Sequence, residues 1–228
     1  MDANKNFYIA EIGNCQIRFW PYGSNTGNVT MSSGVCGNAT DQLRQPYGIA
    51  LDPSSNILYV TDRLNHRLLS FTFGAKNGTV ILGNNGAGLS NTQLLQPFGL
   101  YYDSYSKSLL VANNNANNVV RVAIEATNWT LVVGSINGTS GTSSTRFRYP
   151  IDVKLDPIGN LYVADDYNHR VQFFYNGQNN GSTIAGITGV NASNATTLSY
   201  PRSIALDNQL NLYVVDHNNH RVQKFFRY

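Results

Sequence analysis

Charge is scarce in this chain. Acidic and basic residues together make up 13% of its 228 residues, and the net charge is only +3. No run of Lys or Arg occurs, so the footprint of a nucleic-acid binder or a membrane-surface binder is missing. No apolar stretch is long enough to span a bilayer. The start, Met1-Asp2-Ala3-Asn4-Lys5, lacks the apolar leader of a signal peptide. No segment carries an apolar stripe of helical period, so almost no helix is expected. Also absent are a Gly-x-Ser-x-Gly elbow, a phosphate-binding Gly-Lys loop and a His-Glu-x-x-His pair. These absences remove the serine, phosphate-loop and zincin routes to catalysis. No cofactor is implied.

What the chain does have is a repeat. Tyr59-Val60-Thr61-Asp62 runs into Asn65-His66-Arg67, Tyr162-Val163-Ala164-Asp165 into Asn168-His169-Arg170, and Tyr213-Val214-Val215-Asp216 into Asn219-His220-Arg221. Worn copies stand at Tyr8 to Glu11 with Asn14, and at Leu110 to Asn113 with Asn117-Asn118. The steps from Glu11 through Asp62, Asn113 and Asp165 to Asp216 are 51, 51, 52 and 51 residues. A fixed period of this length marks a repeat architecture. Each full unit holds four short runs rich in Val, Ile, Leu, Tyr and Phe, bounded by Gly, Asn, Asp and Pro, which is the strand signal. Four antiparallel strands per unit describe a propeller blade. The expected fold is an all-β propeller of about five blades, the first and last incomplete. The units are residues 1–45 (partial), 46–96, 97–149, 150–200 and 201–228 (partial).

The Pro-x-Gly-Ile-Ala-x-Asp opening, the Leu-Tyr-Val-x-Asp strand and the Asn-His-Arg turn leading to Val-Gln-Lys-Phe resemble the NHL repeat family. That family forms six-bladed β-propellers, mostly protein- or RNA-binding scaffolds. The resemblance spans nearly the whole chain. It is good in the units opening at Pro46, Pro150 and Pro201, and weaker in the unit from Pro97, where Asn113 and Ala116-Asn117-Asn118 stand in the motif. Two readings of the strand count follow: a five-bladed ring, or a piece of a six-bladed propeller from a longer chain. The second is preferred, although open strand edges count against it.

Several residues invite a chemical reading. His66, His169 and His220 occupy equivalent turns in different blades, so they are expected to pack and hydrogen-bond rather than converge on zinc. Asp62, Asp165 and Asp216 with Arg67, Arg170 and Arg221 read as buried structural pairs, since the Pro97 unit loses both partners together. Asp52, Asp103, Asp156 and Asp207 end the first strands, as turn caps or, alternatively, as a cation ring. Cys15 and Cys36 lie on neighbouring strands of one unit and are expected to form a disulfide. Eight Asn-x-Ser/Thr sequons, at Asn28, Asn38, Asn77, Asn128, Asn137, Asn180, Asn191 and Asn194, avoid the first and second strands. They are candidate N-glycosylation sites and, with the cysteines, point to the secretory pathway or the extracellular space.

The expected function is non-enzymatic recognition of a protein or glycan through the loop face, with no metal site and no nucleic acid. Variable turn tips on a repeated frame are where recognition usually resides. The tips here are Arg63, Leu64, Asp166, Tyr167, His217 and Asn218. The rival is a channel-metal enzyme like the lyases and lactonase-like hydrolases among six-bladed relatives. It would need non-repeating His, Asp or Glu on the innermost strands. The odd residues there are Asp152, Lys154, Tyr101, Tyr102 and Arg202, with no His.

Overall fold

The computed structural model of the protein describes residues 1–2 and 4–226. Among the described residues the regular structure is eighteen strands and four three-residue 3-10 turns. The first sheet holds β1 (Phe7–Glu11), β2 (Gln16–Trp20) and β3 (Asn28–Met31). The second holds β4 (Pro46–Asp52), β5 (Ile57–Asp62), β6 (Arg67–Thr72) and β7 (Thr79–Gly83). The third holds β8 (Pro97–Asp103), β9 (Ser108–Asn113), β10 (Asn118–Ala123) and β11 (Trp129–Gly134). The fourth holds β12 (Pro150–Leu155), β13 (Leu161–Asp165), β14 (Arg170–Phe174) and β15 (Ser182–Gly186). The fifth holds β16 (Pro201–Leu206), β17 (Leu212–Asp216) and β18 (Arg221–Phe225). Each sheet runs in sequence order, an antiparallel meander, and these are β-propeller blades.

The third strand of each blade begins one residue earlier than its Leu or Val suggests. Arg67, Arg170 and Arg221 are themselves paired in register with Asp62, Asp165 and Asp216. The ion pair therefore closes the hairpin and draws the Arg into the ladder. First strands start on Pro and show a register shift right after it, at Pro46, Pro150 and Pro201. Proline cannot donate to the ladder, so it sits where pairing is interrupted.

Two compact units divide the chain: residues 1–109 with 122–129, and residues 110–121 with 130–228. In the first, Ile17, Met31, Leu43, Leu58, Val60, Leu69 and Phe71 make a buried apolar cluster, with Tyr8, Ala10, Ile49, Leu51 and Val80 packed against it. Burial of such side chains contributes about 1.5–3 kcal/mol each relative to exposure. Blade spacing there is set by backbone approach. A Cβ at Gly48 would meet the Phe98 carbonyl oxygen at 2.3 Å. The buried Thr61 hydroxyl accepts from the Gly48 amide at 2.7 Å and donates to that same carbonyl at 2.6 Å. In the second unit, Phe147 and Phe174 meet edge to face, with ring centroids 5.8 Å apart. Asp152 accepts from the Ser203 hydroxyl and the Ile204 amide, both at 2.9 Å, tying β12 to β16.

One repeated residue escapes the sequence motif. Three places before each leading Pro stand Leu43, Leu94, Phe147 and Leu198, all 0% exposed. Each plugs the loop that leads into its blade. The Gly37, Gly88 and Gly141 amides fold back onto the carbonyls of Leu43, Leu94 and Phe147. These long loops are compact and internally bonded, not open coils.

Candidate functional site

The polar corner of each intact blade is built on the strand-end Asp. Asp62 accepts from the Arg44 amide at 2.6 Å, Asn65 Nδ2 at 2.8 Å and Arg67 Nε at 2.8 Å. Asp165 accepts in the same way from the Arg148 amide, Asn168 Nδ2 and Arg170 Nε, each at 2.8 Å. Asp216 takes the Ser199 amide, Asn219 Nδ2 and Arg221 Nε. The remaining guanidinium nitrogens grip the preceding loop. Arg67 donates to the carbonyls of Asn38, Ala39 and Gln42, and Arg170 to those of Thr142, Ser143 and Arg146. Arg221 holds Ser193, Asn194 and Thr197 likewise. Each trio is a clamp that fixes the loop entering its own blade.

The repeat His does a different job. His66, His169 and His220 sit in the left-handed region, at φ 54°, 55° and 53°, ending the 3-10 turns Arg63–Asn65, Asp166–Asn168 and His217–Asn219. His is among the residues that tolerate this conformation. His66 Nδ1 accepts from the Gln96 amide at 3.1 Å, and His169 Nδ1 from the Tyr200 amide at 3.2 Å. In the Pro97 unit Asn117 Oδ1 takes the Tyr149 amide at 2.9 Å. Each contact ties one blade to the residue before the next leading Pro. Burial lowers the pKa of His66 and His169, and the cations Arg63 and Arg148 lower it further, which favours the neutral acceptor. Cys15 occupies the same left-handed place in the first blade, at φ 53°. It is bonded to Cys36, with Cα atoms 5.1 Å apart. The disulfide anchors that turn to the loop beyond.

Turn tips lie on these loops. The Tyr167 amide donates to the Arg148 carbonyl, Leu64 to Arg44, and His217 to Tyr200. In the first unit the tip is closed. Arg63 donates to Gln45 Oε1 at 2.7 Å and Gln96 Oε1 at 2.9 Å, and its guanidinium lies 4.4 Å above the Phe98 ring. Leu64 is half-buried. Arg63 is thus engaged internally.

The second unit is different. Tyr167 is 42% exposed and packs between Tyr149, at 4.8 Å, and Tyr200, at 5.1 Å. Arg148 lies 5.6 Å over the Tyr167 ring, and His169 is edge-on to Tyr200. His217 and Asn218 are exposed beside each other, joined by a 2.8 Å contact. Asp166 is no exposed tip: it is 4% exposed, because the turn folds it inward. Its Oδ1 has no hydrogen-bond partner among the described residues, nor has Arg202 Nε.

Burial pushes the Asp166 carboxyl up to about 7; Arg202 works against this and the neighbouring Asp165 adds to it. Between pH 4 and 7 the folded chain therefore holds a proton that the unfolded chain has lost. Stability from this group falls as pH rises through that window. The equivalent Asn114 donates its Nδ2 to the Pro150 carbonyl at 3.0 Å. Asp166→Asn should copy that bond to Pro201. We expect the variant to melt higher than the parent at pH 8, by on the order of 2 kcal/mol, and close to it at pH 4. Calorimetry at both pH values checks this, and an equal offset at the two would contradict it.

The strand-end Asp residues of the first strands cap their own turns. Asp52 accepts from Ser54 and Ser55, Asp103 from Tyr105 and Ser106, Asp156 from Ile158 and Asn160, and Asp207 from Gln209 and Asn211. Burial works to raise the Asp52 pKa, but the Ser54 and Ser55 donors hold it down at about 2. Lys154 reaches Asp152 at 2.9 Å, so these odd inner-strand residues are paired with each other. Among the described residues no three His, Cys, Asp or Glu side chains gather as metal ligands. All eight sequon asparagines, Asn28, Asn38, Asn77, Asn128, Asn137, Asn180, Asn191 and Asn194, are exposed. Among the described residues no helix is long and apolar enough to cross a membrane.

The sequence singles out Tyr167 and misses its companions Tyr149 and Tyr200. Their signal is positional: both precede a leading Pro, where the first unit has Gln45 and Gln96.

Comparison with known proteins places this geometry. The NHL repeat model matches residues 147–174 and 198–225. A mouse protein, NHL repeat-containing protein 3, is 30% identical over 94 residues, 40% of this chain. The match covers 26% of that relative's length. Among solved structures, one from a nidogen/laminin complex is similar over 97% of this chain and 71% of its own, with a TM-score of 0.71 and 18% identity. A gluconolactonase from Xanthomonas campestris is similar over 83% of this chain and 60% of its own, with a TM-score of 0.63 and 16% identity. At such identities these likenesses speak for the fold alone.

Proposed function

From a chain that carries NHL repeats on a β-propeller frame, we infer a non-enzymatic extracellular binding module that recognises a protein or glycan through the turn-and-loop face of its second unit. One observation carries this reading. The repeated Asp, Asn, Arg and His hold one another and the loops, while Tyr149, Tyr167, Arg148 and His217 stand exposed on that fixed base. Tyr and Arg on a rigid support are the residues that anchor interfaces. The disulfide and the eight exposed sequons support a secretory or extracellular setting. A propeller of similar fold in a nidogen/laminin complex supports a protein partner.

A fold likeness to a gluconolactonase keeps lactone hydrolysis as the alternative. One experiment separates the two. The purified protein is applied to an array of extracellular proteins and glycans, and in parallel is given gluconolactone with calcium or zinc. We expect a saturable array ligand whose binding falls about tenfold or more in Tyr167→Ala, and no turnover. Metal-dependent turnover, or binding untouched by Tyr167→Ala, would overturn the reading.

A further inference from the structure

We propose that the Tyr149–Tyr167–Tyr200 face takes an acidic polypeptide segment, with Arg148 and Arg202 receiving its carboxylates and Tyr167 packing against its chain. This rests on the binding-module reading and gives its partner a chemistry.

The charge distribution carries it. The turn-side segments of the second unit, residues 134–149, 166–169, 186–202 and 217–220, contain Arg146, Arg148 and Arg202 and one carboxylate, Asp166. Asp166 is buried, so no exposed carboxylate stands among them. Asp165 and Asp216 beneath this face are 0% exposed and held by Arg170 and Arg221. The face is therefore positive in a chain whose net charge is small.

The two units make the second argument. In the first, the Arg63 guanidinium donates to two glutamines and covers Phe98. In the second, Arg148 rests over Tyr167 with no side-chain hydrogen bond or ion pair among the described residues. Arg202 Nε is buried, also without a hydrogen-bond partner, next to a carboxyl that burial tends to keep neutral. A buried donor left unpartnered costs about 1–3 kcal/mol. A carboxylate arriving from a partner finds the exposed Arg148 uncommitted, and guanidinium forks match carboxylates two oxygens at a time. Three tyrosines beside the exposed Arg148 and the half-buried Arg202 offer apolar contact and charge together, as a peptide carrying Glu or Asp requires.

The test is fluorescence anisotropy with a labelled octapeptide alternating Glu with Gly and Pro. The same peptide with Lys for Glu, a heparin hexasaccharide and an octauridylate serve as the other probes. We expect the Glu peptide to bind and the Lys peptide not to. Binding should weaken about tenfold in Arg148→Gln/Arg202→Gln, and also as salt rises from about 50 to 300 mM. The equally charge-reduced Lys76→Gln/Lys107→Gln, at exposed positions elsewhere, should change it less than about twofold. Arg148→Gln alone, at a side chain that makes no hydrogen bond among the described residues, guards against misfolding of the double variant and should still weaken the Glu peptide. No binding of the Glu peptide, equal binding of the Lys peptide, or binding of only the heparin or RNA probe would overturn the proposal. If the Glu peptide fails while an array ligand still depends on Tyr167, the acidic partner falls and the binding module stands.

Discussion

Asp62→Ala should be among the most damaging single substitutions in the chain, costing about 3–5 kcal/mol. Asp62 and Arg67 are 0% and 1% exposed in their side chains and 2.8 Å apart. Removing the carboxylate takes the acceptor from Arg67 Nε, the Arg44 amide and Asn65 Nδ2 at once. The Coulombic worth of the pair is not the deciding quantity, because burial itself raises the Asp62 pKa and opposes its charge. What decides is that three donors lose the one fully buried acceptor they share. For a chain of this size the loss corresponds to roughly 10 °C in melting temperature. Asp62→Asn retains an acceptor oxygen and should lose about half as much. Thermal melts followed by circular dichroism check both. An Asp62→Ala melt within about 2 °C of the parent would rule out the clamp as a source of stability.

Removing the disulfide should come next. Cys15 and Cys36 close a loop of 21 residues, and such a link contributes about 3 kcal/mol. Cys15→Ser/Cys36→Ser should therefore melt about 6 °C or more below the parent. A second double variant reveals why the bond is there. Cys15 sits where other blades place His or Asn, at the same positive φ. His66 accepts the amide of Gln96, thirty residues on, and Gln45 stands thirty residues after Cys15. Cys15→His/Cys36→Ser should recover part of the loss by accepting the Gln45 amide. Equal melting of the two double variants would show that the bond does something other than replace the inter-blade contact.

Much of the frame is legible in the residues. The Tyr-Val-x-Asp and Asn-His-Arg spacing places β5, β13 and β17 and their turns, because the pair Asp–Arg must face across one hairpin. The disulfide is legible because neighbouring strands bring Cys15 and Cys36 together. The clamp is only half legible: the Asp partner of each Arg has a side chain to read, but the loop carbonyls it holds belong to residues of any type. That is why the loops look like open Gly/Asn/Ser coils and prove to be pinned. Leu43, Leu94, Phe147 and Leu198 could have warned of this, since an apolar residue recurs at one place in otherwise polar loops. Arg63 and Asp166 read as exposed tips because what engages the one and buries the other lies in the following blade. Gln96 and Phe98 hold the first, and Arg202 faces the second.

The division of labour between frame and face is best tested by a crossed measurement on two variants: melting temperature, and affinity for the array ligand at a temperature where both are folded. Asp62→Ala, in the first unit, should melt about 10 °C low and bind like the parent. Tyr167→Ala should melt like the parent and bind about tenfold more weakly or worse. If instead Asp62→Ala loses the ligand while keeping its melting temperature, the repeated polar corners are the recognition surface and not the frame.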